Sequence, residues 1–121
     1  MRFVLDTNAV IYLQRGQLAE ALPVADYSVS VITEMELLSF PDLGAQDRAW
    51  LERFLLAVQI IGIEPDIKHR AIELRRDYRL KLPDAVIVAT ALVGDSELLT
   101  NDRQLARVNG LRCGFLRLTT A

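Results

Sequence analysis

The sequence predicts an α/β fold with a parallel sheet covered by helices on both faces. Short apolar runs rich in β-formers alternate along the chain with segments whose apolar residues recur at helical spacing. Such alternation implies parallel strands joined by crossover helices, with each strand buried on both sides. The first run, Phe3-Val4-Leu5, also stops abruptly on Asp6-Thr7-Asn8. This places an acid at the carboxyl end of a strand, the edge where open α/β sheets bind ligands.

Taken in order, residues 1–5 are read as the first strand. Residues 9–13 follow as a short helix with Thr7 or Asn8 as N-cap and Gly16 as its close. Residues 18–22 are read as a further helical turn, stopped by Pro23. The β-branched alternation over 27–32 predicts the second strand, and Thr33 opens a helix through Leu38. Pro41 and Gly44 mark a loop. In 47–58, Trp50, Leu51, Phe54, Leu55 and Val58 fall at helical spacing. Residues 59–63 are a strand. Pro65 starts the longest helix, to about residue 80, with Ile67, Ala71, Leu74 and Tyr78 as its apolar stripe.

Pro83 suits the first turn of the next helix, 84–93, which ends at Gly94. Its residues are nearly all apolar or small, so it belongs in the middle of the domain. Residues 97–100 are a strand and 102–108 a short helix. Asn109-Gly110 is a turn signal, and 113–118 reads as a final edge strand.

The chain has 121 residues, a length that suits one domain, 1–121, around one core. No apolar run approaches the ~20 residues that cross a bilayer, and no basic stretch followed by a long apolar one marks a secretory signal. The single cysteine, Cys113, cannot form an internal disulfide, which fits a reducing cytoplasm. The formal charge of −2 excludes a general polyanion binder, so a nucleic acid would have to meet a local basic patch or a metal-neutralised site.

Four acids, Asp6, Glu36, Asp84 and Asp102, recur at strand ends or helix starts. Each has a structural explanation of its own. Thr33-x-x-Glu36 has the form of a capping box. Asp84 follows a proline where negative charge offsets the helix dipole, and Asp102 can cap a turn. For Asp6 that explanation is weaker, because a carboxylate directly after a buried strand needs compensation. If the four converge, their mutual repulsion calls for a cation. Carboxylates with water suit Mg²⁺ or Mn²⁺. Zinc fits less well, because Cys113 and His69 lie elsewhere in sequence and His69 reads as a surface helix residue.

The ordered set Asp6-Thr7-Asn8, Thr33-x-x-Glu36-Leu37, Pro83-Asp84-x-x-Ile87-x-Ala89-x-Ala91-Leu92 and Thr100-Asn101-Asp102 resembles the four acidic motifs of PIN-domain nucleases. The small size is most similar to VapC-type toxins of toxin–antitoxin pairs. One departure is Leu38-Ser39-Phe40-Pro41, where many relatives carry a glycine soon after the Glu-Leu pair.

The resemblance implies a PIN-like three-layer α/β/α sandwich with a central, mostly parallel sheet, and metal-dependent hydrolysis of RNA. Asp6, Glu36, Asp84 and Asp102 would be the catalytic and metal-holding acids, with Asp6 and Asp84 nearest the main ion. Thr7, Asn8 and Thr100 would be supporting polar residues. Candidate phosphate contacts are Arg103, Lys81 and Arg79, each with ordinary solvated charge as its plain alternative. The resemblance also implies a homodimer and a cognate antitoxin, the latter in an apolar groove near Val10, Leu13, Leu18 and Phe40.

The rival enzyme reading is a metal-dependent phosphatase or DNA nuclease, since the same acids serve any phosphoryl centre. A phospho-receiver module would need a paired acid near Asp6 and a late-strand lysine, and neither is present. A catalytically silent PIN fold used only for binding is disfavoured by the presence of all four acids.

Overall fold

The computed structural model describes residues 1–120. Its strands are β1 (Arg2–Leu5), β2 (Asp26–Ser30), β3 (Gln59–Ile61), β4 (Glu97–Leu99) and β5 (Cys113–Gly114). Its helices are α1 (Thr7–Gln14), α2 (Val31–Leu38), α3 (Ala45–Ala57), α4 (Pro65–Tyr78) and α5 (Leu82–Val93). The strands form one sheet in the order β3-β2-β1-β4-β5, and every neighbouring pair is parallel. The chain moves outward from β1 to one side through β2 and β3, then crosses back to the other side for β4 and β5. The reversal puts the switch point at the carboxyl ends of β1 and β4, beside Asp6 and Thr100.

The sheet has a core on each face because side chains alternate along a strand. In β1, Val4 packs with Ala71 and Leu74 of α4, Ala85 to Ala89 of α5, and Leu98. Phe3 and Leu5 point the other way, toward Ala9, Val10, Leu37, Leu51 and Leu55 of the first three helices. Adjacent Leu98 and Leu99 divide between the same two cores. This is the expected α/β/α sandwich. The seven residues from Ala85 to Ala91 are all buried, as their lack of polar character predicts. Among the described residues, no helix is long and apolar enough to cross a membrane.

Several boundaries differ from the sequence reading. Asp6, not Thr7 or Asn8, is the N-cap of α1, its Oδ1 accepting the Ala9 amide at 2.8 Å. Residues 18–22 form no helix. Leu18 makes an antiparallel bridge to Leu118, and Ala19 donates to the Arg117 carbonyl, so a distant segment satisfies this backbone. The second strand ends at Ser30 rather than residue 32. The Ser30 hydroxyl accepts from the Ile32 amide and starts α2 there. Thr33 therefore lies inside the helix, and Glu36 turns to other work.

Residues 102–108 yield only a 3₁₀ turn at Leu105–Arg107. The final strand shrinks to two residues, Cys113–Gly114. At Gly114 a Cβ would come within 2.6 Å of Glu97 Oε2 and 2.8 Å of Leu99 Cδ2, so a larger residue would have to displace both side chains.

Candidate active site

Each candidate acid is placed by a different element. Asp6 ends β1 and caps α1, Glu36 lies in the last half of α2, Asp84 is in the first turn of α5, and Asp102 follows β4. Asp6 is buried, and that burial raises its pKa above the ordinary aspartate value. The Thr100 hydroxyl and the Ala9 amide pull it back down, while the charges of Asp102 and Asp84 push it up further. Asp84 is raised chiefly by burial, then by Asp102 and Glu36, and is relieved in part by Lys81. Asp6, Asp84 and Asp102 are thus all within electrostatic reach of one another, and Glu36 is within reach of Asp84. This carboxylate cluster sits at the sheet's switch point.

Hydroxyls hold the cluster. Thr7 Oγ1 donates to Glu36 Oε1 at 2.6 Å and lies 3.2 Å from Thr33 Oγ1. A hydroxyl has one proton, so with Thr7's committed to Glu36, Thr33 must be the donor in the second contact. The result is a chain, Thr33 to Thr7 to Glu36, that ends on the acid. Thr33 is fully buried, and its place in this chain was not foreseen. The signal available was its spacing of three from Glu36, which puts both on one helix face.

On the other side, Thr100 Oγ1 accepts the Asp102 amide at 3.0 Å and is near enough to the Asp6 carboxylate to favour its ionised form. Asp102 Oδ1 in turn accepts the Gln104 amide at 2.9 Å. Among the described residues, no buried side-chain polar atom lacks a partner.

The other candidates are placed unevenly. Asn8 is exposed on the first turn of α1. Lys81 stands just before α5, close enough to favour the ionised form of Asp84. Arg79 is exposed at the end of α4 in a left-handed conformation, φ 57°. Arg103 is turned onto the Phe115 ring, its guanidinium carbon 5.4 Å from the centroid. His69 is an exposed helix residue, as read.

The donor set is oxygen only. Among the described residues, no three acid, His or Cys side chains converge tightly enough to hold an ion by themselves. Mg²⁺ keeps several waters and needs only one or two carboxylates directly. Asp6 and Asp84, whose pKa values are raised by burial and by acidic neighbours, fit such a hydrated ion, which Asp102 and Glu36 would help to neutralise.

Cys113 lies in β5, half-buried, and its thiol is pushed up by burial, then by Glu97 and Asp6. At neutral pH it stays a thiol and is a poor nucleophile. Cys113→Ser should leave any activity of the acid cluster within about twofold of wild type. A large loss in kcat at unchanged melting temperature would give the thiol a role.

The four residues expected to line one apolar groove are not brought together: Leu13 and Leu18 line two other clefts, and only Phe40 borders the one beside α1. Val10 is fully buried, because it points into the core beneath α1. The outer lining comes from Ile11, Gln14, Arg15, Phe40, Leu43 and Asp47, around a volume of about 520 Å³.

Residues 3–111 match the family model described as PIN domain. No curated protein matches the sequence significantly. Among solved structures, a toxin–antitoxin complex from Klebsiella pneumoniae is 37% identical, covering 89% of this chain and 93% of that one, with a TM-score of 0.68. VapBC2 from Rickettsia felis, bound to a DNA fragment from its promoter, is 20% identical over 97% and 100% of the two chains, with a TM-score of 0.81. VapBC-1 from nontypeable Haemophilus influenzae is 21% identical over 95% and 98%, with a TM-score of 0.77.

Proposed function

The chain belongs to the PIN domain family, and from that premise we propose that it is a metal-dependent endoribonuclease, the toxin of a toxin–antitoxin pair. Residues 1–121 act as one nuclease domain in the cytoplasm. The observation that carries the reading is the clustering of Asp6, Asp84, Asp102 and Glu36 at the switch point, where their charges reach one another. Asp6 and Asp84 would hold a divalent cation, Mg²⁺ or Mn²⁺, with Asp102 and Glu36 completing a second or water-mediated shell. When bound, the cation supplies Lewis-acid chemistry, neutralising phosphodiester charge and making water more acidic.

The protein's own groups do the placing. Thr7 fixes the Glu36 carboxylate through its 2.6 Å bond. Thr100 accepts the Asp102 amide and favours the ionised form of Asp6, so it acts on both strand-end acids. Lys81, beside Asp84, is the basic residue best placed for an RNA phosphate. Arg103 would first have to leave Phe115, and Arg79 stands farther out as a contact for flanking backbone.

The cleft beside α1, where Ile11, Phe40 and Leu43 stand among Gln14, Arg15, Asp42 and Asp47, suits the antitoxin as an amphipathic segment. The similarity to a toxin–antitoxin complex supports that partner. A separate, mainly apolar groove of about 560 Å³ lies around Ile63, Ile72 and Leu82, which are each about half exposed. It supports a homodimer through α4 and α5, a state that sedimentation of the purified chain measures directly.

The deciding experiment incubates purified protein with pooled RNA, and in parallel with DNA, in Mg²⁺ or EDTA, and maps the cleaved ends. RNA ends that appear only with Mg²⁺ are expected. Cleavage of DNA alone, or cleavage unaffected by EDTA, would refute the proposal.

Glu36→Gln separates the acid from its scaffold. The Gln carbonyl still accepts from Thr7, so the fold keeps its bond while the charge goes. Melting in the absence of Mg²⁺ should hold or rise, since one of four like charges is removed. Cleavage should fall, and Mg²⁺ should raise the melting temperature less than in wild type. Unchanged cleavage with an unchanged Mg²⁺ response would take Glu36 out of the site.

A further inference from the structure

The pairing of β4 with β5 stops at Leu99 and Gly114, and one more backbone bond, from Thr100 N to Gly114 O at 3.1 Å, closes it. Beyond that point a side chain takes over. Asn101 Nδ2 donates to the Leu116 carbonyl at 2.9 Å, and Asn101 Oδ1 accepts the Leu116 amide at 2.7 Å. A primary amide presents a donor and an acceptor side by side, as a strand neighbour does. Asn101 thus extends the sheet by a rung while its own backbone is free to turn. That turn carries Asp102 toward Asp6 and Asp84, whose pKa values register its charge.

We propose that Asn101 is a positioning residue for Asp102: its side-chain amide replaces the backbone rung that β4 would otherwise form with residue 116, and so releases and fixes the 100–102 turn in the arrangement the cation needs. Only Asn has both the groups and the length for this. Asp lacks the donor, and Gln adds a methylene that displaces the amide. The segment it grips is anchored elsewhere, by Arg103 on Phe115, by Arg117 with Glu20, and by the Leu18–Leu118 bridge. Asn101 therefore pulls against a fixed strap. The proposal rests on the reading of Asp102 as a site acid.

The test compares Asn101→Ala, Asp102→Asn and the double variant. The readouts are the Mg²⁺ concentration that gives half the maximal rise in melting temperature, and kcat and KM for RNA. Asn101→Ala should raise that concentration about tenfold or more, the usual effect of losing a group that orients a metal ligand. It should lower kcat with KM nearly unchanged. In the Asp102→Asn background it should add less than about twofold, because its effect passes through Asp102.

A wild-type Mg²⁺ response in a folded Asn101→Ala protein, or full additivity in the double variant, overturns the proposal alone. A wild-type response in Asp102→Asn removes the underlying reading with it, and so is distinguishable. Hydrogen exchange on the unaltered protein covers the case in which Asn101→Ala does not fold. The Leu116 amide should exchange at least about a hundredfold more slowly than an unstructured amide. Exchange at the unstructured rate means that the rung does not exist.

Discussion

Asp6→Asn should lower RNA cleavage by about two to three orders of magnitude or more, while the metal-free protein stays folded and melts above wild type. The activity loss follows from the charge, because several kcal/mol of catalysis depend on a cation that a neutral amide binds poorly. The retained fold follows from the cap. Asn serves as well as Asp at a helix N-cap, so the 2.8 Å bond from the Ala9 amide survives. Higher stability follows from the raised pKa of Asp6, caused first by burial and then by its acidic neighbours.

A carboxyl whose folded pKa lies above its unfolded one binds more protons in the native state. The ionised form therefore costs stability at neutral pH. That cost shrinks as pH falls through the raised folded pKa, and is gone below about pH 4, the unfolded value. The melting difference between mutant and wild type should narrow over the same window. Turnover near the wild-type rate by folded Asp6→Asn protein would remove Asp6 from the centre of the site.

Leu98→Ala should have the largest effect on the fold, a loss of about 2–5 kcal/mol. Leu98 is fully buried in β4, between β1 and β5, and packs into the core shared with α4 and α5. Truncation leaves a cavity that a close-packed interior fills only in part. At about 3–5 °C per kcal/mol for a chain of this size, the melting temperature should drop by about 6–25 °C. Well below the new midpoint, kcat should stay near wild type, because no site group is touched. A loss of less than about 1 kcal/mol would mean that β4 is not the packed strand described here.

The layers of this fold were legible because their signals are local. Phe3-Val4-Leu5 and the run from Ala85 to Ala91 state their burial in composition alone. Asp6, Asp84 and Asp102 were legible as positions at element ends, whereas Glu36, read as near a helix start, lies in the last half of α2; the joint spacing of the four carried more than any one of them. What escaped was decided by competition or by distant partners. Val31 and Ile32 look like strand, but the Ser30 hydroxyl takes the Ile32 amide and begins the helix early. That displaces the capping box foreseen at Thr33 and frees Glu36 for Thr7. Residues 18–22 carry helix formers, yet their backbone is satisfied by 117–119, which no local pattern reports. The short β5 has a similar cause, with a side chain doing the work of backbone beyond Gly114.

The central place of β1 also governs when this protein can come into being. The first strand made must wait for almost the last, since Phe3 finds its β4 neighbour at Glu97, about ninety residues on. Closing so long a loop costs about 4 kcal/mol of chain entropy beyond a constant, before any contact offsets it. Folding dominated by such distant pairings is slow. During synthesis Asp6 leaves the ribosome early, with Glu36 and then Asp84 behind it, but no switch point exists until β4 has emerged to flank β1. The site proposed here for cleavage is thereby unassembled throughout most of the chain's own translation, and the delay is written into the strand order.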